Sequence, residues 1–127
     1  MRVSRSALSL LLMNHVAEIR FTRRNEKLGY NRQRRMLCTN DRLLLMSSVG
    51  QRVLNYTAPT GRLPYNAASK NILIVWDIFY QNYRAVNCND CDLVAVIKST
   101  PADDFWKYFQ EKISSMSGNN KAQFMNN

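Results

Sequence analysis

Two cysteines stand in a Cys88-Asn-Asp-Cys91 array, the chain's only C-x-x-C. A structural zinc site needs four ligands, and no second C-x-x-C follows. Cys38 and His15 would complete a set only if the fold carried them there. A redox pair would sit in a βαβ pattern, which is absent around these residues, so the plain reading is two thiols in a hairpin turn. His15 is the single histidine, and no Ser/His/Asp set can be argued around it. Asp103-Asp104 is a carboxylate pair placed where a helix begins, a position the helix dipole favours. Asp90 and Asp92 flank a turn, and no Gly-rich phosphate loop is present. These residues do not fill the roles of an active site. The sequence reads as a non-enzyme with no cofactor and no metal.

The basic residues point to a different chemistry. Residues 1–70 hold 13 basic and 3 acidic residues, whereas residues 71–127 hold 5 and 6. Such asymmetry builds an electropositive face that attracts polyanions, nucleic acid foremost. Arg20, Arg23, Arg24, Lys27, Arg32, Arg34 and Arg35 cluster with Tyr30 among them. Arg42, Arg52, Arg62 and Lys70 extend the charge toward Tyr56 and Tyr65. Arginine and lysine neutralise phosphate, and tyrosine rings give bases a face to stack on. The alternative reading of the same residues is a solvated charged hairpin.

The elements that must position these residues follow from periodicity. Ser4 or Ser6 caps a first helix ending near Met13. Residues 16–22 alternate, with Ala17, Ile19 and Phe21 on one face and Glu18, Arg20 and Thr22 on the other, which predicts a half-buried strand. Residues 23–33 read as a loop, and 34–39 as a second strand. Leu43-Leu-Leu-Met46 reads as a helical turn or an extra strand, and Gly50 to Lys70 as a long excursion. Ile72–Tyr80, Tyr83–Asn87 and Leu93–Lys98 are three further strands. Thr100-Pro101 opens a helix, with Pro101 at its first position and Thr100 and Asp103 as a capping box. Ala102, Phe105, Trp106, Phe109, Ile113 and Met116 make one aromatic face, expected to cover the barrel, and Gly118 ends the helix.

The predicted organisation is one domain over 1–117, with an insertion over about 42–70 and a disordered tail from 118 to 127. No segment reaches the length of a membrane span. The stretch Ala7–Met13 reads as a docked helix, with a short signal peptide as its alternative. Three cysteines, an odd number, fit a reducing intracellular setting.

Val16-Ala-Glu-Ile-Arg-Phe-Thr-Arg23, Arg35-Met-Leu-Cys-Thr39, Val75-Trp-Asp-Ile78 and Tyr83-Arg-Ala-Val86 stand in an order that resembles a family of small tailed-bacteriophage proteins. That family is described as Sm-like or SH3-type β-barrels, sometimes called WYL-related. The resemblance covers roughly residues 6–98 without the insertion. The chain departs from it at Tyr83, where the family has Trp, and at Asn87, where it has Arg. The resemblance implies a mainly β fold: a small five-stranded SH3/Sm-like barrel with a short N-terminal helix and a C-terminal amphipathic helix. It also implies a phage-encoded protein in the host bacterial cytoplasm, and nucleic-acid binding by analogy. Trp76, Asp77 and Arg84 are the motif residues present, with Arg84 as a ligand candidate. The expected function is binding of RNA or single-stranded DNA through Arg20, Arg23, Arg24, Lys27, Tyr30, Arg34, Arg35 and Arg84. The alternative is a structural or interaction protein on a virion component or an acidic host protein. A homo-oligomer formed through edge strands is compatible with either.

Overall fold

The helix over Arg5–Leu12 (α1) begins where Ser4 Oγ accepts the Ala7 N–H at 3.1 Å, and it buries Leu8 and Leu12, one turn apart. The computed structural model describes residues 1–25, 30–58, 68–118 and 124, and only the backbone at 23–25, 30–33 and 68. The chain continues through His15–Asn25 (β1), Tyr30–Thr39 (β2), Arg42–Leu45 (α2) and Ser48–Arg52 (α3). Ile72–Asp77 (β3), Asn82–Asn87 (β4), Cys91–Lys98 (β5) and Ala102–Ser115 (α4) complete it. The fold is mainly β with flanking helices. None of its described helices is long and apolar enough to cross a membrane.

The five strands form one antiparallel sheet in the order β4-β3-β2-β1-β5. β1 lies inside the sheet, pairing with β2 from Val16 to Asn25 and with β5 from His15 to Phe21, with a register shift between Glu18 and Ile19. β2 meets β3 at one corner only, Cys38 opposite Asp77 and Thr39 opposite Trp76. No ladder joins β4 to β5 among the described residues, so the sheet is open.

Two apolar clusters lie on either side of β1 and β2. The first gathers Leu8 and Leu12 of α1 with Ala17, Ile19, Met36 and Cys38, and with Leu73, Val75 and Val86 of the β3–β4 hairpin. The second holds Val16, Leu37, Trp76 and Ile78 under Leu44, Leu45, Val49, Phe105 and Phe109 of the helices. The aromatic face of α4 therefore covers the sheet as its spacing predicts. The half-buried reading of β1 is corrected: Val16 and Glu18, on the face opposite Ala17 and Ile19, are buried as well. Alternation marks which residues share a face and says nothing of what covers it.

Leu43–Leu45 is helical, so the helical alternative holds there. From Gly50 to Tyr56 the segment read as an excursion stays on the sheet: Leu54 is buried and Tyr56 packs on Trp76. Residues 59–67 lie outside the described residues. Gly50 makes the α2–α3 corner fit, since a Cβ there would meet the Leu44 carbonyl at 2.5 Å and the Leu45 carbonyl closer still. The third strand ends at Asp77, earlier than Tyr80, because the Asp77 carboxylate accepts the N–H groups of Phe79 and Tyr80 and turns the chain. Gln81, in that turn, takes a left-handed φ of 58°. Pro101 is the N-cap of α4, not its first helical residue, and no side chain caps it, so the predicted capping box does not form. The helix ends at Ser115 with Met116 as its C-cap, ahead of Gly118. Most of the tail from 119 lies outside the described residues, and Phe124 within it is buried against Phe79.

Candidate nucleic-acid interface

The β1–β2 hairpin outruns its neighbours. β5 leaves β1 at the Phe21–Cys91 pair, and β3 touches β2 only at 38–39. Residues 22–25 and 30–33 therefore pair only with each other among the described residues. Four residues per strand make a two-stranded ribbon of about 13 Å beyond the point where β5 leaves β1. The expected loop over 23–33 is thus mostly strand, and only 26–29 lie outside the described residues. Polar residues form strand here because the β1–β2 ladder continues through them.

The register sets basic positions opposite each other. Arg23 pairs with Arg32 and Arg20 with Arg35. Like charges directly opposite cost stability, so such pairs call for an anion or a charged partner. At the root of the ribbon Arg35 has internal partners. Arg20 is exposed and lies across from Asp92 on its β5 side. Arg35 reaches Glu18, with its Nη2 at 2.5 Å from Oε2, and its guanidinium lies 5.0 Å from the Phe124 ring centroid. Lys112 of α4 approaches the other oxygen of Glu18 at 3.3 Å. A carboxylate only 2% exposed is thereby held between two cations from different elements.

Sequence neighbours separate here. Arg34 and Arg35 lie on opposite faces of β2 because strand side chains alternate. Arg34, opposite Phe21, is half-buried on the α1 side, and Arg35 lies on the α4 side. The side chains of Arg23, Arg24, Lys27 and Tyr30 lie outside the described residues, and their backbone positions at 23, 24 and 30 are on the ribbon.

Arg84 is remote from the ribbon. Its guanidinium carbon lies 3.6 Å from the Tyr80 ring centroid, and its Nε is 3.6 Å from the buried Asp77 carboxylate. Trp76 is buried in an edge-to-face cage with Tyr56 and Tyr83, centroids 5.0 and 5.1 Å away. The two tyrosine hydroxyls share a hydrogen bond of 2.7 Å. Burial and this bond push the Tyr83 hydroxyl's pKa up. Trp76, Asp77 and Arg84 thus cooperate in folding the β3–β4 hairpin. Sequence reasoning missed Glu18 and Lys112. The signal was an isolated acid in a basic, otherwise apolar strand.

Cys88 and Cys91 bracket a 3-10 turn between β4 and β5 and enter the same cluster as Cys38. All three thiols are free and buried. Burial raises each pKa, that of Cys91 to about 12, with Cys88, Asp92 and Asp90 adding to the effect and Arg2 opposing it. No group of three or more His, Cys, Asp or Glu among the described residues could hold a metal ion. His15 Nδ1 is 2.6 Å from Asn14 Oδ1, and its carbonyl accepts the Thr39 hydroxyl. Asp41 caps α2 and bonds Ser99, joining the ends of β2 and β5. No protein-family model, no curated protein and no solved structure matches the chain.

Proposed function

We propose that this chain is a nucleic-acid-binding module that grips RNA or single-stranded DNA with its basic β1–β2 ribbon. The observation that carries the reading is the ribbon itself. It stands beyond the sheet, pairs Arg23 with Arg32, carries Arg24, and has Arg34 at its root opposite Phe21. A protruding two-stranded arm offers charge to phosphates from both edges, and counterion release supplies the affinity. Arg20, Arg23, Arg24, Lys27, Arg32 and Arg34 are the proposed phosphate contacts, with Tyr30 as a stacking surface. Arg35 and Arg84, engaged with Glu18 and with Tyr80 and Asp77, take supporting roles.

The proposed architecture is an SH3/Sm-like barrel. Two features support it: the single-corner contact of β2 with β3, and the enclosure of one cluster between β1–β2 and the β3–β4 hairpin. The resemblance to small tailed-phage proteins supplies the setting, a phage-encoded protein in the host bacterial cytoplasm.

The test is binding of labelled single-stranded RNA, single-stranded DNA and duplex DNA at two salt concentrations. The comparison is an Arg23→Ala/Arg24→Ala/Arg32→Ala variant, which leaves Glu18 and its partners intact. Steep loss with salt is expected, with a log–log slope shallower by about 2 in the variant. Duplex preference would reassign the ribbon to a major groove, which admits a two-stranded arm. No binding to any of the three would overturn the reading.

A further inference from the structure

We propose that Phe124 occupies a nucleobase slot at the root of the ribbon, and that an unpaired base of a bound strand takes its place there. The proposal rests on the nucleic-acid reading of the ribbon and adds to it a site that recognises bases.

Phe124 is fully buried, and its contacts are those of a stacked base. Its ring stacks on Phe79, with centroids 5.1 Å apart and planes inclined by 29°. The Arg35 guanidinium carbon lies over the same ring, 5.0 Å from its centroid. Aromatic rings and arginine planes are the surfaces on which single-stranded nucleic acid stacks its bases. Arg35 is paired with the exposed Arg20 at the root of the ribbon. A strand whose phosphates follow the ribbon therefore passes beside the slot.

The walls of the slot are held without Phe124. Asp77 accepts the Phe79 N–H at 3.1 Å, and the Phe79 ring also packs on Phe109 of α4, with centroids 5.4 Å apart. Arg35 donates from Nε and Nη2 to Glu18 Oε2 at 3.2 and 2.5 Å. Those bonds use the edge of the guanidinium and leave its plane for stacking. α4 ends at Ser115, and Ser117 to Gln123 are polar or small residues that bring little apolar surface to the sheet. A base can thus replace one π face by another at a single position, with α4 left in place. The link to α4 gives Phe124 an effective concentration against which a base must compete. Removing the ring raises affinity for a strand that carries bases and leaves the phosphate contacts as they are.

The test compares a single-stranded oligonucleotide with an abasic strand of the same length and charge, by fluorescence anisotropy on the full chain and on Phe124→Ala. In a second measurement the five phenylalanines of the wild type are replaced by 4-fluorophenylalanine, and the Phe124 resonance is assigned through the variant. Affinity for the base-bearing strand is expected to be about tenfold higher in Phe124→Ala, with equal affinity of the two proteins for the abasic strand. The Phe124 fluorine resonance should move to its solvent-exposed position with the base-bearing strand only. A ring that only fills core gives an unmoved resonance at saturating oligonucleotide, which overturns the proposal whether or not the variant folds. An equal gain on both strands, or no gain in a folded variant, would overturn it as well. Binding by the wild type with an unmoved resonance removes the slot and leaves the ribbon; no binding by either protein removes both.

Discussion

Arg35 Nη2 lies 2.5 Å from Glu18 Oε2, so a basic residue of the hairpin is bound to the one acid of the β1–β2 sheet core. Lys112 holds the second oxygen, and the three charges tie α4 to β1 and β2 at the root of the ribbon. Removing one member of such a set leaves desolvated charge behind. Glu18→Gln is expected to cost about 3 kcal/mol in urea unfolding. Glu18→Leu combined with Arg35→Met should recover part of that loss, because no orphan charge then remains at the Arg35 side. Equal stability of Glu18→Gln and the wild type would mean that the set contributes nothing.

Arg84 tests whether the aromatic–acidic motif is structural. Arg84→Ala removes the stacking on Tyr80 and the cation beside buried Asp77. The expected cost is about 2 kcal/mol, with nucleic-acid affinity unchanged below the melting transition. Lost affinity in a fully folded variant would return Arg84 to the contact surface.

At Gly50 the α2 carbonyls leave no room for a methyl group. Gly50→Ala must push α3 away from α2 and loosen Leu45 and Val49, which belong to the same cluster. A cost of about 3 kcal/mol is expected in spite of alanine's better helix propensity. A stabilised variant would show that the corner relaxes freely.

Alkaline pH should weaken the fold through its thiols. Cys91 keeps its proton to about pH 12 when folded, against an ordinary value of 9.0, and Cys38 and Cys88 are raised in the same direction by burial. A raised folded pKa gives stability that is complete below the unfolded value and declines as pH climbs toward the folded one. For Cys91 that window runs from 9.0 to about 12. Each such thiol contributes a slope of about 1.4 kcal/mol per pH unit within its window. Urea midpoints at pH 8 and pH 10 should fall for the wild type and fall less for Cys91→Val. Native protein should also react slowly with a thiol reagent at pH 8. Fast labelling of all three cysteines would contradict their burial.

The sequence by itself located the apolar stretches of five strands, a first helix capped by Ser4 or Ser6, and the aromatic face of α4, while it read 23–33 as a loop and ran the third strand to Tyr80. Those features depend on residue spacing and local capping, and spacing is written in the chain. It also determined where the charge lies, since seven basic residues between 20 and 35 need no fold to be counted. Tertiary structure decided what each charge does. Arg34 and Arg35 are adjacent in sequence yet serve opposite faces, and Glu18 is buried because α4 arrives from nearly a hundred residues away with Lys112. It also decided that polar residues 22–25 and 30–33 form a ribbon, because ladder hydrogen bonds extend a hairpin without apolar patterning. Partner identity across a sheet or a helix interface depends on long-range pairing and register, which local spacing does not encode.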